Sequence, residues 1–244
     1  FPATAEAADA LYYLALCDMK RGGYERAIDR LESFLRSAPQ SELAPEAYFK
    51  LAGAHFTKGN PNLAARNYAL AAESFGDPER AYLARRNLGS VYQDLEDWEK
   101  AAEVWKEISE VHAGHEGAVE ALFNLGFCYN QTGRHELAYG VYGRIPDIAV
   151  SEEQRGRAHY WAGVSLKNLG RHAEAVREFL RVPYLETGGM WGVTAKLEAA
   201  ACYERLGEND EALKIYRDVI RSHGPASDWG RVAAEAVGRI TGET

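Results

Sequence analysis

The sequence has little of what marks a membrane, nucleic-acid-binding or metal protein. Its longest apolar run, Ala10 to Cys17, is eight residues, against the roughly 18–20 that span a bilayer, so no membrane-spanning helix is expected. No basic block occurs: 28 Lys and Arg are outweighed by 36 Asp and Glu, giving a formal net charge of −8. A phosphate backbone is held by clustered cations that displace counterions, so nucleic acid is not expected as a partner. No stretch alternates with the period of a strand, and no glycine-rich phosphate loop follows one. No signal-peptide pattern is present and the first residue is Phe1 rather than Met, so a mature product or an excised fragment is expected.

What is present is a repeat of 37 residues. Ala27, Ala64, Ala101, Ala138, Ala175 and Ala212 keep that spacing, as do Ala10, Ala47, Ala84, Ala121, Ala158 and Ala195. A third series, Ala15, Ala52, Gly89, Gly126, Gly163 and Ala200, holds only the two smallest residues. A fourth holds large ones: Leu31, Tyr68, Trp105, Tyr142, Phe179 and Tyr216. Small and large residues repeated together predict one close helix–helix contact made six times.

Each unit reads as two helices with a break between them that usually contains glycine: Gly22-Gly23, Gly59, Gly133, Gly170 and Gly207. Pro45, Pro61 and Pro78 fall where helices start; Pro39, Pro146, Pro183 and Pro225 fall where they end. The expected fold is all-α, with stacked helix pairs sharing a continuous core. The repeats are placed at approximately 3–39, 44–76, 78–113, 116–149, 152–187 and 190–224, followed by a capping helix at 227–241, all in one domain spanning 3–244. On the cap, Trp229, Val232, Ala236, Val237 and Ile240 are assigned to the buried face.

Arg85-x2-Leu88-Gly89-x2-Tyr92 and Leu122-x2-Leu125-Gly126-x2-Tyr129 resemble the first half of the tetratricopeptide signature. Ala101-x3-Trp105 and Ala138-x3-Tyr142 match its second half, and Pro39 its closing proline. The family's period is about 34 residues, so the longer period here is a departure, taken up between units. The resemblance implies a right-handed α-solenoid whose first helices line a concave groove that holds a peptide or partner protein. The connector around Pro39 to Pro45 is similar to those of bacterial cell-envelope members, which implies a periplasmic or membrane-associated location.

On the first helices, the arc opposite the buried stripe carries Tyr12, Phe49, Phe123 and Tyr160 at one repeat position. Leu16, Phe127 and Val164 lie one turn on, with Met19 and Phe56 beyond them. Arg86 interrupts the aromatic row in the third unit, and Asn87 and Asn124 share the neighbouring slot. Aromatic side chains along one face form an apolar platform for a partner, and these twelve residues are the candidate groove. The alternative is that they pack against a neighbouring helix. The opening helix is apolar nearly all round, from Leu11 to Cys17. Either upstream sequence or a second chain covers it, the latter making a homo-oligomer, or two tyrosines simply face the groove.

Cys17, Cys128 and Cys202 occupy one slot in non-adjacent units and are read as small buried packers. His112 and His115 form His-Ala-Gly-His in a connector, which without further ligands reads as a loop rather than a metal site. His55 and His159 are read as core residues, and His135 and His172 as the starts of second helices. No nucleophile–base pair can be assembled, and no cofactor or metal is expected. The sequence therefore reads as a non-enzymatic scaffold for a protein or peptide. The alternatives are a helical accessory region of a larger envelope enzyme and a self-assembling module.

Overall fold

A computed structural model describes residues 5–111, 117–182 and 190–242. His112, His115 and the connector residues Pro183, Tyr184, Leu185, Gly188 and Gly189 lie outside that set. Among the described residues there are thirteen helices and no strand. The chain divides into two compact bodies, Phe1–Ala121 and Leu122–Thr244.

The first body holds α1 (Ala5–Lys20), α2 (Tyr24–Ser37), α3 (Ala44–Thr57), α4 (Pro61–Ser74), α5 (Pro78–Asp94) and α6 (Trp98–Val111). Each first helix packs on its own second helix, and α2 and α4 pack in turn on α3 and α5. The body boundary falls within α7 (Ala118–Gln131). The second body continues with α8 (His135–Ile148), α9 (Glu152–Asn168), α10 (His172–Phe179), α11 (Met190–Leu206), α12 (Asn209–His223) and α13 (Asp228–Thr241). Here α8 packs on α9, α9 on α10, α10 on α11, α11 on α12 and α12 on α13.

The small–large pairing is the contact inside each helix pair. A β-carbon on Gly89 would come within 2.7 Å of the Trp105 ring, and one on Gly163 within 2.7 Å of the Phe179 ring. Ordinary carbon contacts lie near 3.5–4 Å, so glycine is required at both. Where the partner geometry leaves more room, Ala15, Ala52 and Ala200 take the slot and are fully buried.

The turn from first to second helix needs a left-handed residue. Gly22, Gly59, Gly133, Gly170 and Gly207 adopt φ of 72–77°, and Glu96, at the same register position in the third unit, is held at φ 56°. Among the first-type helices, α3 has Pro45 in its first turn and no side-chain cap, whereas α5, α9 and α13 begin on side-chain caps. Asp77 accepts from the Arg80 N–H at 2.8 Å, and Ser227 from the Gly230 N–H at 3.0 Å. Ser151 accepts from the Gln154 N–H at 3.1 Å, while the Gln154 side chain accepts from the Val150 N–H at 2.9 Å. This reciprocal pair is a variant of the capping box.

Pro146 stands near a helix end, in the last turn of α8 and two residues before Ile148, where its missing N–H removes the helical bond to the Tyr142 carbonyl. Two expectations need correction. On α13 the buried stripe is Gly230, Ala233 and Ala236, while Trp229 and Val232 are exposed. The helix is set by Gly230, where a β-carbon would collide with the Gly224 carbonyl oxygen, and that close approach rotates Val232 outward. Trp229 packs edge-on to His223 with ring centroids 5.4 Å apart. Finally, Cys128 and Cys202 are fully buried but Cys17 is exposed, because no helix precedes α1 among the described residues to cover its slot.

Candidate protein-binding surface

The first helices carry the candidate residues, and their burial separates packing from platform. Tyr12 is 5% exposed and Phe123 is 2% exposed. Tyr12 packs on Phe34 of α2 with centroids 5.7 Å apart. Burial, helped by the Glu46 carboxylate and Tyr13, raises its hydroxyl pKa to about 12. Phe123 lies 6.3 Å from Tyr142, and the Arg157 guanidinium covers its other face at 3.9 Å from the centroid. These two rings are enclosed and present no free platform. The physical reason is that this helix position points into the groove between first and second helices, where a ring from the second helix meets it.

The rest of the row is half-buried. Phe49 packs on Tyr68 at 5.4 Å and Phe75 at 6.3 Å. Tyr160 lies 5.8 Å from Phe179, 5.3 Å from Trp161 and 5.0 Å from Trp191, and burial raises its hydroxyl pKa. Leu16 and Met19 pack against the core of the first two helix pairs, and Val164 against the α10–α11 core. Phe127 and Asn124 are half-buried, Arg86 is exposed, and Phe56 is exposed at the end of α3. Asn87 hydrogen-bonds the Tyr68 hydroxyl, so that amide is engaged between α4 and α5, across two consecutive repeats.

Two concavities open between consecutive first helices. In the first body a hollow of about 230 Å³ lies between α3 and α5, with Phe49, Phe75 and Leu83 as its apolar part. Its rim is ionic: Glu46 accepts from Lys50 at 3.0 Å and pairs with Arg80 at 3.6 Å. In the second body a trough of about 380 Å³ lies between α11 and α13. Leu197, Ala201 and Val232 supply its apolar surface; Glu198, Glu204, Glu235 and Arg239 supply the charge. Glu204 is fixed by two donors, the Tyr216 hydroxyl at 2.6 Å and Arg239 at 3.0 Å. The rim residues were not singled out from the sequence. Lys50 and Glu198 occupy the repeat slot of Asn87 and Asn124, and Glu46 lies three positions before Phe49, so the repeat register leads to these three. Arg80, Glu204 and Arg239 lie five or more positions from the row and are not reached by it.

Among the described residues no three of His, Cys, Asp and Glu gather as a metal site. His159 instead pairs with Glu178 at 2.7 Å, and His135 with Asn130 at 2.9 Å. No helix among the described residues is long and apolar enough to cross a membrane.

Three sequence profiles described as tetratricopeptide repeat match residues 18–82, 79–142 and 194–224. No curated protein matches the chain. Among solved structures, a tetratricopeptide repeat protein from Parabacteroides merdae is 18% identical, with a TM-score of 0.60, covering 98% of this chain and 93% of its own. The pilF protein of Pseudomonas aeruginosa is 19% identical, with a TM-score of 0.52 over 93% of this chain and 96% of its own. PilW, a type IV pilus biogenesis factor, is 16% identical, with a TM-score of 0.57 over 95% of this chain and 100% of its own. At these identities the likeness is one of fold. With the repeated ring-on-glycine contacts and the profile matches, it establishes that the chain belongs to the tetratricopeptide repeat family.

Proposed function

We propose that the chain is a non-enzymatic scaffold of six repeats that binds a peptide or partner protein on the faces of its first helices. The observation that supports this most directly is the trough between α11 and α13. It combines half-buried and exposed aliphatic side chains with the Glu204 carboxylate, held in place by Tyr216 and Arg239, the pairing of apolar contact and a fixed polar group that marks a recognition site. Its lining has three acidic residues to one basic, so it suits a segment with a basic residue beside an apolar one.

The test is affinity capture with wild type beside a Leu197→Asp, Val232→Asp double variant. Both side chains are at least partly exposed, so the variant keeps its helical circular dichroism. Loss of the wild-type partners supports the reading; their full retention by the folded variant sinks it.

A further inference from the structure

Among the described residues, one face of α1 is exposed where its repeat counterparts are buried. Ala10, Tyr13, Leu14 and Cys17 are all exposed, Tyr13 by 57% and Leu14 by 49%, and they form one helical stripe at i, i+3, i+4 and i+7. Moved along by whole repeats, the slots of Ala10, Leu14 and Cys17 are buried in α3, α5, α7, α9 and α11. The structure also shows what buries them. In α3 the cover is α2, whose Leu31 and Phe34 share a buried cluster with Ala47 and Leu51. In α11 it is α10, whose Val176 and Phe179 share one with Ala195, Ala199 and Cys202. Cys202, the repeat counterpart of Cys17, is fully buried there.

We propose that this face of α1 docks an amphipathic helix of a partner protein, built like the chain's own second helices. Such a helix carries aliphatic and aromatic residues on one stripe, as Val176 and Phe179 do on α10, and continues an interface the chain already makes repeatedly. The charges at the two ends of the face set its direction. Glu6 and Asp9 lie toward one end and Lys20 and Arg21 toward the other. Helices joined by short connectors run antiparallel, and α12 is acidic in its first turn (Asp210, Glu211) and basic in its last (Arg221, His223). A helix of that polarity, laid antiparallel on α1, places opposite charges together at both ends. The face is separate from the α11–α13 trough, and the proposal stands without it.

The test uses a synthetic peptide of residues 209–223, stapled on its polar side to hold it helical, and follows alkylation of Cys17 by mass spectrometry. Buried Cys128 and Cys202 serve as internal controls in the same spectra. For a Kd of about 0.1 mM, about 1 mM peptide slows Cys17 alkylation about tenfold, and Tyr13→Asp abolishes the protection. An unchanged rate, or equal protection by a scrambled stapled peptide, overturns the proposal. Protection that grows with protein concentration in the absence of peptide assigns the face to a second copy instead. Cys17 found unreactive in the polypeptide as its own cell makes it, with no second protein bound, assigns the face to that polypeptide. Either result overturns the partner reading.

Discussion

Gly126 lies so close beneath Tyr142 that a β-carbon on it would stand 2.5 Å from the ring's Cζ. Tyr142 is itself 1% exposed, so its ring has nowhere to retreat. Gly126→Ala is expected to destabilise the protein by about 1–3 kcal/mol, the usual cost of overpacking a filled site. Gly140 and Gly143 on α8 have open space around the same added atom, and replacing either with Ala is expected to stabilise by about 0.5–1 kcal/mol through helix propensity. Urea denaturation of the three variants tests both signs at once.

Glu96 occupies the turn position that glycine holds in the other five repeats, at φ 56°. A side chain there costs about 1–2 kcal/mol of local strain, part of which glycine gives back as unfolded-state entropy. Glu96→Gly is therefore expected to raise stability by about 0.5–1 kcal/mol, and Glu96→Val to lower it. An unchanged or lower Tm for the glycine variant contradicts this account of the turn.

Phe123 and Phe56 both belong to the aromatic set seen in the sequence, yet they differ in kind. Phe123 is 2% exposed under Arg157, and Phe56 is 44% exposed. Phe123→Ala is expected to cost about 3–5 kcal/mol, while Phe56→Ala stays within about 0.5 kcal/mol of wild type. Any change in partner binding by the Phe123 variant must therefore be read beside its thermal melt.

His55 is buried in the core face of α3, and desolvation holds its pKa below the ordinary 6.5, with Glu32 acting in the opposite direction. The unfolded chain takes up this proton first as the pH falls. The stability contributed by keeping the ring neutral is thus fully present above the unfolded pKa and is lost as pH drops through it toward the folded value. Between about pH 7.5 and 5.5, the urea midpoint of wild type is expected to fall more than that of His55→Gln.

The helix pairs and the small–large contact were legible because each depends on residues within one repeat. Ala101 with Trp105, or Gly126 with Tyr142, can be matched by register alone. Exposure was less legible because it depends on a neighbouring helix that a helical wheel does not contain. Tyr12 sat on the arc opposite the buried stripe, and it is Phe34 of α2 that encloses it. Cys17 shared a slot with two buried cysteines, and only the lack of a covering helix distinguishes it. Trp229 and Val232 were assigned inward by hydrophobicity, whereas the backbone contact at Gly230 decides the rotation of α13. The anomaly at Glu96 was available in the 37-residue register, as the one turn without glycine.

Each ring and the glycine beneath it, Trp105 on Gly89, Tyr142 on Gly126 and Phe179 on Gly163, are sixteen residues apart. Closing so short a loop takes little entropy from the chain, and proteins dominated by local contacts fold quickly. Each ring contact can therefore form early in folding, but one helix pair cannot bury its apolar face alone. Lasting structure waits until neighbouring pairs stack, and the local ring contacts serve to steer each helix toward its own partner before that happens.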